Sequence, residues 1–215
     1  MRRFVIAAAL LVAASLHAQP RTLSWKALHV DAKLDQDGEL RVAERHHMLF
    51  NGDWNGGERI FRVPPNQQLR LTAVNRVDGD RIIPLSSAPL SALAVDQYAF
   101  DGSSLRWRAR RKTDPPFRNR QLVYSIEYTL RNVVEEREGG YVLDHDFAFA
   151  DRPGNIEAFS LDLDLDPVWR PVGEFNPHIE RVNLAPAQSL IYNIPLTYTG
   201  TAPPAHVVKL VAQPP

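Results

Sequence analysis

Hydrophobic and polar residues alternate along most of this chain, a pattern that predicts β-strands with one buried face. Segment 159–166 shows it most clearly, because four apolar residues alternate there with one serine and three aspartates. In segment 122–130 the even-numbered residues are all apolar or aromatic. The other strand candidates span residues 23–34, 40–50, 58–63, 68–77, 81–85, 94–100, 104–110, 141–148 and 190–198. No segment carries an apolar stripe of helical period with capping residues at its ends.

Three short segments that contain aspartate and glycine predict tight turns between consecutive strands. They span residues 35–38, 78–80 and 101–102, and glycine adopts the positive φ that such turns require. Many short strands with turns at this spacing predict an all-β fold, an antiparallel immunoglobulin-like β-sandwich over residues 19–200. A division into two smaller sandwiches near Asp101 or near Pro115–Pro116 is the alternative.

The two ends of the chain differ in composition from its centre. Arg2 and Arg3 precede an apolar run over residues 4–16, and the small residue Ala18 follows. This order predicts a signal peptide at residues 1–18 and export to the periplasm or the cell surface. The proline-rich segment 201–215 is typical of a linker, because proline cannot donate to a sheet and fixes φ.

Composition excludes several classes of function. The chain has no cysteine, which excludes disulfides, thiol nucleophiles and cysteine-bound zinc. It carries 25 basic and 25 acidic residues, so that removal of Arg2 and Arg3 with the signal peptide leaves a net charge of −2. Without a basic excess, we expect no nucleic-acid binding. We expect no metal and no cofactor, and no catalytic residue is assigned. We expect membrane association through a segment that this chain does not contain.

An aromatic residue within a stripe of arginines is a candidate for ligand binding. Trp107 lies between Arg106 and Arg108, and an aromatic ring flanked by arginines can stack on a sugar or a base. The simpler interpretation is a solvated strand face. If the strands are neighbours, the basic stripe would then pair with an acidic stripe across the sheet. The basic stripe comprises Arg106, Arg108 and Arg110, and the acidic stripe comprises Asp162, Asp164 and Asp166.

A second aromatic candidate, Trp54, lies in the glycine-rich segment 51–57. The glycines and polar residues of this segment suit a long hairpin loop. Trp54 is then either an exposed binding residue or folded back on the rim of the sandwich.

The triplet Asp144-His145-Asp146 is the segment most like a catalytic or metal site. On a strand the two carboxylates share one face and His145 points to the other. The carboxylates, about 7 Å apart, suit calcium binding or acid–base chemistry. The alternative is a polar strand end that leads into the turn at residues 151–154.

A series of motifs connects the strands to a known family. They are Val42-Ala-Glu44, the segment 50–64, Tyr124-Ser-Ile-Glu-Tyr128, the segment 141–147 and the segment 156–167. Together they resemble the extracytoplasmic N-terminal domain of the bacterial predicted-membrane-protein family Domain of Unknown Function 2207. The positions that match its pattern are Glu44, Gly52, Gly57, Arg62 and Pro64. Val63 replaces the acidic residue that usually follows the arginine, and the triplet at 144–146 stands where many members have a tryptophan.

The resemblance implies location and fold and supplies no mechanism. We predict that Glu44 pairs with Arg59 or Arg62, and that a bidentate bond from Arg62 would fix the glycine-rich turn. The favoured function is a non-enzymatic envelope module, tethered to the membrane, that binds an envelope protein or a glycan. The alternatives are an envelope hydrolase that uses Asp144 and Asp146, and a calcium-stabilised adhesin module.

Overall fold

A computed structural model describes residues 20–209, which form three β-sheets and one short 3-10 helix at Leu90–Ala92. The expected signal peptide lies outside the described residues. The strands are β1 (Thr22–Leu34), β2 (Leu40–Gly52), β3 (Gly56–Ile60), β4 (Gln68–Asp78), β5 (Arg81–Pro84), β6 (Ser86–Ser87), β7 (Gln97–Phe100), β8 (Ser104–Arg108), β9 (Phe117–Arg131), β10 (Val134–Arg137), β11 (Gly140–Asp146), β12 (Ile156–Leu165), β13 (Trp169–Pro171), β14 (His178–Leu184), β15 (Ile191–Tyr198) and β16 (Val207–Lys209).

The largest sheet has seven strands in the order β14-β12-β1-β2-β9-β4-β5. Its long strands alternate between more buried and more exposed positions, as the period of two in the sequence predicts. The predicted turns at 35–38, 78–80 and 101–102 each join two paired strands. The all-β class is therefore confirmed, whereas the immunoglobulin-like arrangement stays a prediction.

Two smaller sheets complete the fold. One has five strands in the order β13-β15-β11-β10-β16, and the other has four strands in the order β3-β8-β7-β6. The aromatic rings of Trp107 on β8 and Tyr124 on β9 lie 5.1 Å apart. Trp107 and Tyr124, on either side of Pro115–Pro116, therefore belong to one hydrophobic cluster.

The sheets are mixed, which corrects the expectation of a purely antiparallel fold. β12 runs parallel to β1, and its apolar residues align with those of β1, as in the pairs Leu28 with Phe159 and Val30 with Leu161. Two shorter parallel pairs join β6 with β7 and β10 with β16. β12 follows β11, which belongs to another sheet, and this crossover brings β12 to the free edge of β1 in parallel orientation.

Two connections differ from the expectations. The glycine-rich segment after β2 is no hairpin loop, because β2 and β3 belong to different sheets. Part of the predicted linker belongs to the fold, since β16 pairs with β10 and the backbone N–H of His206 donates to the Asp37 carbonyl at 2.8 Å. Among residues 20–209, no helix has the length and apolar character needed to cross a membrane.

Candidate functional site

A buried ion pair joins the seven-stranded sheet to the four-stranded sheet. Glu44 on β2 is 1% exposed and Arg59 on β3 is 3% exposed. The Arg59 Nη2 donates to the Glu44 Oε1 at 2.8 Å, and its Nε donates to the Oε2 at 3.1 Å. The guanidinium also lies over the rings of Phe61 and Phe149, at 4.5 and 4.2 Å. The pair therefore joins the two sheets at a buried site.

Two further donors complete the shell of the Glu44 carboxylate. The Tyr128 hydroxyl donates to Oε1 at 2.8 Å, and the His46 Nε2 lies 2.8 Å from Oε2. The indole N–H of Trp25 donates to the His46 Nδ1 at 3.0 Å. Because an indole N–H can only donate, Nδ1 is the acceptor and the imidazole proton on Nε2 is donated to Glu44.

Burial and charge act in opposite directions on the titration of this network. Burial raises the pKa of Glu44, but the Arg59 charge and the hydrogen bonds from His46 and Arg59 outweigh it and hold that pKa well below its usual range. Burial, together with the Glu44 charge, raises the pKa of Tyr128 well above its usual range. Glu44 is therefore an anion and Tyr128 a neutral donor, which is a stable arrangement rather than an acid–base pair.

The prediction that Glu44 pairs with Arg59 or Arg62 is resolved in favour of Arg59. Arg62 instead binds Asp151, with its Nη2 2.6 Å from the Asp151 Oδ1, so the predicted bond from Arg62 to Glu44 is wrong. The physical reason is the direction of the side chains: Arg59 points inward from β3, whereas the Arg62 side chain is 77% exposed. Pro64 begins a tight turn, in which its carbonyl accepts the backbone N–H of Gln67 at 2.9 Å.

A cavity of about 90 Å³ lies beside the buried ion pair. Its lining includes Arg59, Tyr128, His145 and Asp146. The His145 Nε2 is buried, and it has no hydrogen-bond partner within the described part of the chain. Burial and the Arg59 charge lower the pKa of His145 to about 4, so that His145 is neutral at pH 7.

The two aspartates that flank His145 have different surroundings. Asp144 is exposed, whereas Asp146 is partly buried and lines the cavity. The Asp146 Oδ1 accepts the backbone N–H groups of Ala148 at 3.1 Å and Leu190 at 2.9 Å. Asp146 thus fixes the end of β11, and the structure does not bring its carboxylate together with that of Asp144 in one cavity. Across residues 20–209, no group of three or more His, Asp or Glu side chains is placed to hold a metal ion.

A second pocket, of about 310 Å³, gathers four of the predicted binding residues, namely Trp54, Arg106, Trp107 and Arg108. Trp54 folds back onto the edge of the sheet, where its Nε1 donates to the Thr22 carbonyl at 3.0 Å. The Arg21 guanidinium lies 4.1 Å from the centre of the Trp54 ring. Of the two interpretations of Trp54, the structure agrees with a side chain that folds back on the rim of the sandwich, where it also borders this pocket. We name this cavity the Trp54 pocket.

The floor of the Trp54 pocket is Trp107 beneath the backbone of Gly57. Trp107 is only 3% exposed, so it is a floor rather than a free stacking surface. A Cβ atom on Gly57 would lie 2.2 Å from the Trp107 Cζ2, and glycine is therefore required for this approach. Trp107 Nε1 and Tyr124 Oη are buried, and neither forms a hydrogen bond with any residue that the structure describes.

Three arginines and the carboxylates of Asp53, Glu58 and Asp151 line the Trp54 pocket. Arg106 Nε donates to the Glu58 Oε1 at 2.6 Å. Arg21 and Arg108 form no ion pair within residues 20–209, and the Arg108 Nε is buried without a hydrogen-bond partner there. Two arginines are thus available to a ligand with an anionic group.

The acidic stripe does not pair with the basic stripe, because the condition for that pairing, neighbouring strands, is not met. β8 lies between β3 and β7, whereas β12 lies between β1 and β14, so the two strands are not neighbours. Asp164 instead pairs with Lys33 at 2.8 Å, and Asp162 with His178 at 2.7 Å. The acidic stripe is a solvated, partly paired face, but its partners come from β1 and β14.

The roles of three residues that shape the site were not predicted. Arg21 precedes the first strand, Arg110 ends the basic stripe after β8, and Trp25 was counted only as part of a strand. Arg110 is 5% exposed, and its Nε donates to the Trp54 carbonyl at 2.9 Å while its Nη2 binds Asp53. No sequence signal separates Arg110 from its exposed neighbours, because its burial depends on a loop 57 residues earlier in the chain.

Comparison with known families gives one match. The family described as "Predicted membrane protein (DUF2207) N-terminal domain" matches residues 25–167. This match runs from within β1 to the end of β12, and it includes Glu44, Arg59 and the whole lining of the Trp54 pocket except Arg21 and Leu23. The resemblance drawn from the sequence motifs is therefore confirmed. No curated protein matches the chain.

Solved structures of similar architecture are much larger proteins. An M1 zinc metallopeptidase from Deinococcus radiodurans is 8% identical with a TM-score of 0.44, over 82% of this chain and 42% of that chain. A two-domain M1 zinc metallopeptidase bound to L-tryptophan is also 8% identical with a TM-score of 0.44, over 81% of this chain and 42% of that one. The chain thus spans less than half of their length, and likeness at this level carries no argument about activity.

Proposed function

The chain belongs to the DUF2207 family of predicted membrane proteins, and on that premise we propose that it is a non-catalytic, extracytoplasmic binding module. The Trp54 pocket would be its binding site. The observation that carries the proposal is that four residues selected for binding from the sequence, on two separate segments, line this one pocket. The immunoglobulin-like sandwich belongs to the same proposal and is supported by aromatic contacts between strands of different sheets, such as Trp107 on β8 with Tyr124 on β9 at 5.1 Å.

The chemistry of the Trp54 pocket favours a glycan that carries a carboxylate. The Trp54 ring offers an aromatic surface at the rim, and sugars stack on such surfaces through their C–H faces. Arg21 and Arg108 supply guanidinium groups without an acidic partner in the described chain, and guanidinium groups bind a carboxylate through paired N–H donors. Fragments of cell-wall peptidoglycan combine both features and are encountered outside the cytoplasm.

The surroundings of the other candidate residues support a binding role over hydrolysis. Asp146 is committed to two backbone N–H groups, and Asp144 lies apart from it in solvent. The Glu44 carboxylate is fully occupied by Arg59, His46 and Tyr128. We therefore keep Asp144 and Asp146 outside the proposed site.

Calorimetric titration with soluble peptidoglycan fragments tests the proposal. Trp54→Ala removes the stacking surface and Arg108→Gln removes one cation, and each is expected to weaken binding by roughly tenfold. Arg170→Gln, at an exposed position on β13 in another sheet, is the matched control and is expected to bind as the unaltered protein does. Equal affinity in Trp54→Ala and the unaltered protein, or no binding of any fragment, would refute the assignment.

A further inference from the structure

An open groove of about 770 Å³ lies where β9 begins, and its chemistry differs from that of the Trp54 pocket. Its apolar lining comes from Val95, Phe117, Leu122 and the two prolines at 115–116. Four arginines also line it, namely Arg76, Arg110, Arg118 and Arg120. Apolar and cationic groups thus share one concave surface, which we name the basic groove.

Only part of this positive charge is neutralised within the protein. Arg76 pairs with Asp96 at 2.8 Å, and Arg110 pairs with Asp53. Arg118 and Arg120 are exposed, and neither forms an ion pair with any residue in the described range 20–209. The exposed Arg111 and Lys112 lie in the preceding loop, so four solvent-accessible cations fall within ten consecutive positions.

The wall of the basic groove is held in place rather than formed by a loose loop. Arg110 reaches across it, binds the Asp114 carbonyl and stacks over the Phe117 ring at 5.7 Å. The Phe117 ring packs in turn against Phe50 in the core, with 5.3 Å between ring centres. A ligand therefore meets a preformed surface, which lowers the entropic cost of binding.

The two ends of the seven-stranded sheet differ in how many of their charged side chains form ion pairs. β9 begins at the basic groove with Phe117, and its residue Leu130 pairs with Leu40 beside the β1–β2 turn. An extended strand from Phe117 to Leu130 is roughly 40 Å long. That far end carries carboxylates on the turn and on β10. They are Asp35, Asp37, Glu39, Glu135 and Glu136, and all but Asp37 form ion pairs with Arg41, Arg131, Arg137 or Lys209 at that same end. Since the whole chain has a formal net charge of zero, attraction of an anion must come from this local excess of cations at the groove.

We propose that the basic groove docks the domain onto a bilayer that contains anionic phospholipid. Guanidinium groups bind lipid phosphates through paired N–H donors, and clustered cations at a membrane surface add their attractions. Val95, which is 37% exposed, and the exposed prolines at 115–116 lie among these cations, where apolar side chains enter the boundary between headgroups and acyl chains. A soluble acidic polymer would use the cations but would gain nothing from the apolar lining.

Sedimentation of residues 19–215, without the predicted signal peptide, with phospholipid vesicles tests this proposal. We expect partitioning onto phosphatidylglycerol-containing vesicles, little partitioning onto pure phosphatidylcholine, and a decrease as salt rises. Each cation lost should weaken partitioning by about fivefold, so the double variant Arg118→Gln/Arg120→Gln should lose about 25-fold. Both side chains are exposed, and circular dichroism would verify that the variant folds.

A matched double variant tests whether partitioning depends on the cations of the basic groove or on the total charge of the protein. Arg70→Gln/Arg170→Gln removes two exposed cations from other strands and should leave partitioning nearly unchanged. Equal losses in the two double variants, equal binding to neutral vesicles, or no binding to anionic vesicles would overturn the proposal. Displacement by polyglutamate at equal charge concentration would overturn it in favour of an acidic macromolecule. Titration of the groove variant with peptidoglycan fragments tests the Trp54 pocket separately.

Discussion

Glu44 is the single residue on which the buried ion network depends. Glu44→Gln removes the negative charge but keeps the shape, which leaves the Arg59 guanidinium buried at 3% exposure without an anionic partner. Loss of one member of a buried pair typically costs about 3–5 kcal/mol. We expect Glu44→Gln to lower the free energy of unfolding by this amount in urea denaturation.

An exposed pair provides the control for Glu44. Lys33 and Asp164 are 2.8 Å apart, and both side chains are more than half exposed. Asp164→Asn should therefore change the free energy of unfolding by less than about 1 kcal/mol. Similar losses in Glu44→Gln and Asp164→Asn would contradict the architectural role of Glu44.

His145 gives the protein a defined loss of stability in mild acid. Its pKa in the folded protein is about 4, below its usual 6.5, so the unfolded chain binds the proton first as the pH falls. The stability that His145 contributes is complete above pH 6.5 and declines as the pH drops toward 4. At pH 5 the loss attributable to His145 is about 2 kcal/mol.

Urea denaturation at pH 7 and pH 5 measures this effect. The unaltered protein should lose about 2 kcal/mol more than His145→Gln, in which no imidazole titrates at this position. Glu44 does not obscure the comparison, because both proteins contain it. The lowered pKa of Glu44 also affects stability only at pH values below the usual pKa of a glutamate. The same pH dependence in both proteins would show that His145 is not held neutral.

For single residues, the sequence predicts the face of the strand on which a residue lies better than the residue with which it pairs. The alternation of β2 correctly places Glu44 and His46 on one face, and both are buried. The sequence does not show whether Arg59 or Arg62 pairs with Glu44, because the answer depends on β3 belonging to a different sheet from β2. Arg110 was likewise grouped with exposed arginines, since its partner Asp53 lies in a distant loop.

Among the structural elements, the crossing from β2 to β3 depends on the absence of a side chain at Gly57. A Cβ atom there would overlap the Trp107 indole at 2.2 Å. We expect Gly57→Ala to destabilise the protein by about 1–3 kcal/mol, as overpacking of a filled site does. The unfolding midpoint in urea would measure it.

Gly79 is the control for this glycine. It has a φ of 60°, and a Cβ atom added there would meet no other atom within 4 Å, so its turn has open space. Asparagine adopts this backbone conformation readily. Gly79→Asn should therefore leave the urea midpoint nearly unchanged, and a larger effect at Gly79 than at Gly57 would contradict the steric account.

β16 turns part of the expected linker into structure. Residues 207–209 pair with β10, and the His206 carbonyl accepts the backbone N–H of Asn132 at 3.2 Å. A chain that ends at residue 200 should lose about 1–2 kcal/mol relative to one that ends at residue 209. Thermal denaturation of the two chains measures the difference, and identical midpoints would show that the segment is a linker after all.

The long strands could be predicted and several short ones could not. β1, β2, β9 and β12 each repeat an apolar position every second residue over much of their length. β10 and β16 have four and three residues, too few to show a period, and β14 is exposed at most positions on a sheet edge. Such strands are defined by the neighbour that they pair with, which local sequence does not reveal.

For the whole molecule, the all-β class followed from the sequence, but the assignment of strands to three sheets did not. The parallel pairing of β1 with β12 joins segments that are far apart in the chain, as in the pair Leu28 with Phe159. No turn signal connects these strands, so only the folded chain shows which edge β12 covers. The Trp54 pocket depends on the same long-range assembly, because its residues come from segments that are separate in sequence.

The measurement that tests the central claim most directly is a thermal shift of the unaltered protein with soluble peptidoglycan fragments. A ligand that binds only the folded state adds about 2.7 kcal/mol at 100 times its Kd, which raises the unfolding midpoint by several degrees. The account predicts this rise in the unaltered protein and its loss in Trp54→Ala. An unchanged midpoint at saturating fragment concentration, or an equal rise in Trp54→Ala, would contradict the Trp54 pocket as a glycan site.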